Sequence, residues 1–312
     1  SSLTPYQKKQ LELFKAFEER YTQNHSGTFI KEYAAHHVKA LKEHFKDKPI
    51  PESGEEEEVI PQGAYKFKNW GENLTKYTKN YLKPSNRDEI RAFLKTAHQA
   101  KTLNPKVHVR CSSHRHSYTE IFISNEEGFL IDMDPHAEPY FEKDRDFKVV
   151  NDLYKDPEVQ PVGQEFGFVE LPAGKSTGEF GLWSMNTSFE NRYSLPQDMI
   201  AEYFTYPGVT TVGCHSSGFN ETILSDYIVG LEIMYVTEGG NVYDKWFVDD
   251  KYYVGEEVGE KVQKVAHTDF ANFRVNLGLF GVILTVTMKC KRTFFVTLDH
   301  TFPTINQMFK SG

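Results

Sequence analysis

Side chains able to do chemistry concentrate in two short stretches, Cys111-Ser112-Ser113-His114-Arg115-His116-Ser117-Tyr118 and Gly208-Val209-Thr210-Thr211-Val212-Gly213-Cys214-His215-Ser216-Ser217-Gly218. The first follows Val107-His108-Val109-Arg110, which alternates as a strand does, and precedes a second apolar run, Gly128 to Met133. A polar loop between two strands has a fixed root and a free tip, the usual seat of binding and catalytic groups. His116-Ser117 and His215-Ser216 invite a hydrolase reading, but no Gly-x-Ser-x-Gly elbow follows a strand. His114 and His116, two apart, reach one metal only if the loop is extended and a third ligand comes from elsewhere. His36, His37 and His44 lack the carboxylate or Cys arrangement that would close a metal site, and a solvated helix face explains them better. Cys111, Cys214 and Cys290 are too few for a disulfide scaffold and form no CxxC pair.

The elements that must position these loops can be read from periodicity and breakers. Thr4-Pro5 makes an N-cap and first-turn pair ahead of a helix to about Tyr21, and a second helix is predicted over Lys31 to Lys46. Asp47 to Gly63, with its prolines and the run Glu55 to Glu58, cannot bury a core and reads as an exposed acidic linker. From Tyr65 strands alternate with helices. Asp88-Glu89 opens a helix that ends near Ala100, with acidic residues where the helix dipole favours them. Further on, Phe166 to Leu171 reads as a strand, Pro172-Ala173-Gly174 as a turn, and Ser176 to Trp183 as a short helix. Glu238 to Asn241 joins Ile228–Val236 to Val242–Val248 as a β-hairpin would, and Asn272 to Gly281 leads into a β-branched strand over Val282 to Lys289.

Composition excludes some functions. Thirty-six Lys and Arg against 44 Asp and Glu give a net charge of −8 over 312 residues, so no electrostatic footprint for nucleic acid exists. The most apolar stretch, Leu277 to Met288, carries two glycines and falls well short of the roughly 20 residues a membrane span needs. Aromatics make up 14% of residues, enough for well-filled cores or for a site that stacks a planar ligand. Sequons at Asn24, Asn73, Asn186 and Asn220 are compatible with an exported or organellar protein without establishing one.

Four stretches in order resemble the flavin-binding domain of the vanillyl-alcohol oxidase and p-cresol methylhydroxylase family, and most of all its aldonolactone and alditol oxidases. They are Asn69-Trp70 ahead of Lys83-Pro84-Ser85; Val109-Arg110 through Ser117-Tyr118; Val209 to Gly230 with Leu224-Ser225-Asp226; and Phe273-Arg274-Val275-Asn276-Leu277-Gly278 through Gly281-Val282. The resemblance covers residues 65–295. It implies an α+β fold of two subdomains enclosing an FAD cleft, with residues 1–63 as a helical extension and acidic linker, 64–150 as the first subdomain and 151–312 as the second. The family pattern Val-Arg-x-x-Gly-Ser-Gly-His-Ser aligns without gaps onto Val109 to Ser117, where backbone N–H groups would close around the FAD pyrophosphate. His116 falls on the position that many relatives bond covalently to the isoalloxazine; the alternative is a loop histidine making ordinary hydrogen bonds. Carried over residue by residue, the cofactor-binding set is Arg110, Ser112, Ser113, His114, Arg115, His116, Ser117, Val212, Gly213, His215, Ser216, Gly218, Ser225, Asp226, Gly281 and Val282.

The sequence also departs from the pattern. Ser113 and Arg115 stand where the family has glycine, so Cβ atoms occupy places of close approach, and Arg115 is expected to compensate with a charge-assisted bond to pyrophosphate. The second loop is a few residues short. The substrate domain that normally follows is missing from these 312 residues, which leaves a second chain as one possible source of it. The expected function is therefore an FAD-dependent oxidoreductase, or the flavin-binding part of one, acting on a small molecule of sugar-alcohol or aldonolactone type by hydride transfer to flavin. The alternative is a degenerate homologue that binds a ligand or serves as a structural subunit without turnover. No catalytic base and no metal ligand can be named.

Overall fold

The computed structural model describes residues 63–117, 119–135, 138–158, 166–188, 192–195, 202–214, 222–256 and 259–293. The chain divides into two compact units, Ser1–Val59 and Ile60–Gly312, and every described residue belongs to the second. The helices and linker expected before residue 63 lie outside the described residues.

A three-stranded parallel sheet carries the first polar loop. Its strands are β3 (Asn80–Leu82), β4 (Val109–Ser112) and β5 (Phe129–Asp132), with β5 in the centre. A separate hairpin, β1 (Tyr65–Lys68) with β2 (Thr75–Thr78), precedes it. Between β3 and β4 runs helix α1, Arg87–Leu103. The Asn86 side chain caps it by accepting from the Glu89 amide, Asp88 and Glu89 fill its first turn, and Asn104-Pro105 stops it three residues beyond the expected end. Ile90, Leu94 and Ala97 recur at helical spacing and form its buried stripe.

The larger sheet has seven strands in the order β11-β10-β9-β12-β7-β6, with β8 (Tyr193–Ser194) pairing the far end of β12. The members are β6 (Lys148–Val149), β7 (Phe166–Pro172), β9 (Ile228–Val236), β10 (Val242–Asp249), β11 (Val262–Val265) and β12 (Val282–Arg292). The β9–β10 hairpin forms as expected, its turn closed by the Gly240 amide donating to Thr237 O at 2.9 Å. Strand β12 lies between β9 and β7 and is buried along most of its length, which its run of Val, Ile, Leu and Thr suits. Helix α2 (Thr177–Asn186) starts in a capping box between Ser176 and Glu179.

Two helices were not read from sequence. Tyr206–Thr210 forms α3, whose last three residues fall in the Gly208 to Gly218 stretch that was read only as a loop. Thr205 caps it through the Gly208 amide, and Pro207 occupies its first turn. His267–Arg274 forms α4, one turn earlier than the segment assigned to the approach to β12.

Two cores hold the layers. On one face of the large sheet, Leu171, Leu231, Ile233 and Val286 pack with Phe180, Tyr206 and Phe270 from the helices. On the other, Ile90 and Leu94 of α1 meet Ile131 of β5 and Met234, Val282 and Leu284 of β9 and β12. That second core joins the two sheets, and each fully buried aliphatic side chain contributes about 1.5–3 kcal/mol to it. At its edge Arg87 pairs with Glu142 and forks onto Glu232 at 2.5 and 2.9 Å, Arg145 lies 3.3 Å from Glu232, and Thr285 donates to the same carboxylate at 2.7 Å. The architecture is α+β. No helix among the described residues is long and apolar enough to cross a membrane.

Candidate functional site

Strand β4 ends at Ser112, whose carbonyl accepts from the Met133 amide at 2.7 Å and so ties the root of the loop to the end of β5. Residues 113–117 then leave the sheet and are held from three sides. The Trp70 amide donates to Arg115 O at 2.7 Å, Asn69 Nδ2 donates to Ser117 O at 3.0 Å, and Thr205 Oγ1 donates to Ser113 Oγ at 2.9 Å. The last of these bonds links the loop to the N-cap of α3. Among the described residues, no backbone carbonyl accepts from the amides of Ser113, Arg115, His116 or Ser117.

These elements enclose a cavity of about 570 Å³, within the range of pockets that take a ligand of drug size or larger. Arg110 and Ser112 of β4 and Ser113, His114, Arg115, His116 and Ser117 of the loop after it line one side of the cavity, with Val212 from the turn after α3 and Gly281 from the approach to β12. Its wall also includes Met133, Ala173, Thr205, Gly208, Leu277 and Gly278, none of which is in the expected cofactor-binding set, although Gly208, Leu277 and Gly278 lie in stretches that the sequence analysis picked out. The signal for Thr205 and Gly208 was present in Thr205-Tyr206-Pro207-Gly208, a helix start rather than a loop.

Other expected site residues sit outside the wall, for structural reasons. The Ser225 hydroxyl is buried and donates to Thr210 O, satisfying the end of α3, while Asp226 is exposed on a 3-10 turn. Gly213 adopts φ +72° just after α3, and its amide donates to Thr210 O at 3.2 Å. Val282 belongs to the core between the sheets. His215, Ser216 and Gly218 lie outside the described residues.

His116 lies in an aromatic stack. Its ring centroid is 4.8 Å from Trp70, 5.1 Å from His114 and 5.1 Å from Tyr203, with Phe204 edge-on at 4.6 Å. Burial, with a smaller contribution from the His114 charge, pushes its pKa down to about 4, so the imidazole is neutral at pH 7. Its Nε2 is buried with no hydrogen-bond partner among the described residues. The thiols are not comparable nucleophiles. Burial and the charge of Asp132 push Cys111 up to about 12, and burial raises Cys214.

Arg115, expected at a phosphate, is held by protein partners through one guanidinium nitrogen. Its guanidinium pairs with buried Asp132, donates to Tyr65 Oη at 2.8 Å and lies over the Phe67 ring at 5.0 Å. Burial opposes its charge, yet Asp132 and Tyr65 outweigh that and raise its pKa. Arg110 is different: it donates only to its neighbour's carbonyl, Val109 O, at 3.2 Å, and no carboxylate among the described residues pairs with it. Among the described residues, Arg110 is therefore the arginine of the wall that has no carboxylate partner.

Three features fit a phosphate-bearing planar cofactor. Among the described residues the amides of Ser113, Arg115, His116 and Ser117 lack carbonyl partners and the Ser112 hydroxyl is buried on the wall with no partner, and Gly278 at φ +71° leaves open space where a Cβ would stand. Among the described residues no group of three His, Cys, Asp or Glu side chains can hold a metal ion.

No protein-family model matches the chain. Among curated proteins, L-gulonolactone oxidase from Bos taurus is 26% identical over 238 residues, covering 76% of this chain and 43% of that protein. The chain thus spans less than half the length of this relative. Among solved structures, cholesterol oxidase from B. sterolicum aligns with a TM-score of 0.47 and 14% identity over 78% of this chain and 39% of its own. A VAO-type flavoprotein from Myceliophthora thermophila C1 aligns with a TM-score of 0.45 and 16% identity, over 71% and 33% respectively.

Proposed function

We infer that this chain is an FAD-binding domain of the vanillyl-alcohol oxidase and p-cresol methylhydroxylase type, and that it serves as the flavin-holding part of an oxidoreductase. The observation that carries the reading is convergence. Residues 110–117, 205–214 and 277–283 are far apart in sequence and meet around one cavity of about 570 Å³. They include three of the loops that the resemblance assigns to the cofactor. When bound, the flavin supplies the acceptor for a hydride taken from an alcohol carbon.

The chain's own residues then divide the work. The amides of Ser113, Arg115, His116 and Ser117 and the Arg110 guanidinium would hold the diphosphate, a backbone nest reinforced by one charge. Met133, Ala173, Phe204 and Ile283 make the wall apolar and keep water from the ring. His116 presents a neutral imidazole at pH 7, the protonation state needed for a covalent bond from its ring nitrogen to the cofactor. For the substrate, the likeness to L-gulonolactone oxidase favours a sugar-type alcohol or aldonolactone. A second chain as source of a substrate domain gains no support from the structure or the comparisons.

One observation favours a second reading. His114 and Tyr203 each already stack on His116 and meet each other at a tilt, an arrangement that a ligand-binding module without turnover would share. A visible spectrum of the isolated protein, repeated on pellet and supernatant after acid precipitation, separates the two. Flavin bands support the first reading, and bands in the pellet that move to the supernatant in His116→Ala place the covalent bond at His116. A colourless protein that also fails to take up added FAD overturns the first reading.

A further inference from the structure

Arg115 has a backbone conformation that arginine disfavours. Its φ is +64°, in the left-handed region where every residue with a Cβ carries steric strain and glycine carries none. It occupies the place where glycine stands in the pattern that the loop resembles. Such a conformation persists only when the surroundings over-determine it.

The surroundings here do so. Behind the loop, Arg115 pairs with Asp132 at the end of β5, which is 2% exposed. The same carboxylate accepts from Tyr81 Oη of β3 at 2.8 Å, and Tyr81 stacks on Tyr65 of β1 with ring centroids 3.6 Å apart. Tyr65 Oη in turn accepts from Arg115 at 2.8 Å, which closes a ring of four side chains. Its anchor points lie on β1, β3 and β5, so three strands fix one loop residue. On the backbone side, the Trp70 amide holds Arg115 O at 2.7 Å.

We propose that Arg115 is a positioning residue: bracketed by Asp132, Tyr65 and Tyr81, it forces the loop into a glycine-like conformation and so presents the amides of 113–117 to a diphosphate without touching the diphosphate itself. The proposal rests on the flavin-binding reading above and deepens it. The charge of Arg115 is consumed by Asp132, and phosphate recognition falls to the backbone and Arg110.

Three variants decide the matter against the alternative in which Arg115 bonds the diphosphate directly. Asp132→Asn breaks the bracket but leaves the arginine. Arg115→Gly/Asp132→Asn removes the bracket and also the need for it, and leaves no unpaired buried charge. Arg115→Ala/Asp132→Asn removes the bracket but keeps a Cβ at the strained position. Affinities for FAD and for riboflavin, which has the ring without the diphosphate, are measured by fluorescence quenching.

The expected result is a loss of about tenfold in FAD affinity for Asp132→Asn and for the Ala/Asn protein, the size of one left-handed Cβ penalty. The Gly/Asn protein stays within about threefold of the parent, and riboflavin affinity stays unchanged throughout, which a general loss of stability would not allow. If Asp132→Asn binds FAD as the parent does while the Gly/Asn protein fails, the arginine contacts the diphosphate and the proposal is overturned. Hydrogen exchange of the Trp70 amide, which donates to Arg115 O at 2.7 Å, tests the bracket in the flavin-free proteins independently of cofactor. Exchange should quicken in Asp132→Asn and in Ala/Asn and return to the parent rate in Gly/Asn, and equal rates in all three overturn it. Should the parent bind no flavin, the functional reading falls, while the exchange rates still decide whether the bracket shapes the loop.

Discussion

His116 should make the protein acid-sensitive in a narrow window, and the sign follows from its surroundings. Burial beside His114 lowers its pKa from 6.5 to about 4 in the folded chain. Between those two values the unfolded chain binds a proton that the folded chain refuses, so stability falls as pH falls through the window and is unaffected above it. The full span corresponds to about 3 kcal/mol, and solvent access to the loop brings the expected effect to about 1–2 kcal/mol. The perturbation is His116→Phe, which keeps a ring to stack on Trp70 and Tyr203 but cannot ionise. Urea unfolding of both proteins at pH 7.5 and pH 4.5 is the assay. The variant should gain about 1–2 kcal/mol on the parent between the two conditions. Glu142 is held below its ordinary range; burial opposes this, and Arg87 and Arg145 outweigh it, so its stabilising contribution is also lost in acid. The difference between the two proteins, not the total, is therefore the observable. A difference that stays constant with pH would refute the argument that burial keeps His116 neutral.

Three further outcomes are expected. Glu232→Gln leaves Arg87 and Arg145 without their shared buried partner and should cost about 2–3 kcal/mol in urea unfolding, less than a fully buried pair because both arginines keep some solvent; a cost under about 0.5 kcal/mol would show the network to be ornamental. Gly281→Ala places a Cβ against Met234 O at φ +138°, so the melting temperature should drop by several degrees, about 3 kcal/mol of strain, and an unchanged transition would contradict the close approach of β12 to β9. Arg110→Ala should weaken FAD binding about tenfold while leaving riboflavin binding alone, and equal losses for both ligands would remove the guanidinium from the diphosphate.

Strands β4, β5, β7, β9, β10 and β12 and helix α1 were legible because each announces itself locally, whereas β1, β2, β3, β6, β8 and β11, each of two to four residues, were not read. Asn86 with Glu89 caps α1, Ile90, Leu94 and Ala97 recur on one face, and Thr237 to Asn241 supplies the hairpin turn. Helix α3 was not legible for an equally local reason. It has five residues, two of them Pro207 and Gly208, and owes its existence to the Thr205 cap and to Tyr206 and Val209 entering the core. Within the site, the loop after β4 was found from its polarity and position. The direction of Arg115 was not, since the sequence shows a guanidinium near a phosphate pattern and nothing in it reveals that Asp132, seventeen residues later, lies behind the loop. Ser225 and Asp226 illustrate the same limit: motif position placed them at a cofactor, whereas the fold uses one to close α3 and leaves the other in solvent.

The cavity's location follows from topology more than from any single residue. Strands β4 and β5 run parallel, so Ser112 and Asp132 end at the same edge, and the residues leaving that edge must face a crevice there. What turns an open edge into an enclosed pocket is the second sheet. Gly281 leads into its strand β12, which begins with Val282 and Ile283; Gly281 and Ile283 line the pocket while Val282 enters the core shared with α1. Glycine is required at 281 by the approach to Met234, and the same lack of side chain keeps that part of the wall open. The core of Ile90, Leu94, Ile131, Met234 and Leu284 then sets the distance between the sheets, and with it the width of the pocket. A loop that has given up glycine can therefore still serve a site of this kind, because its shape is imposed by strands on one side and by Thr205 on the other rather than by the freedom of its own backbone.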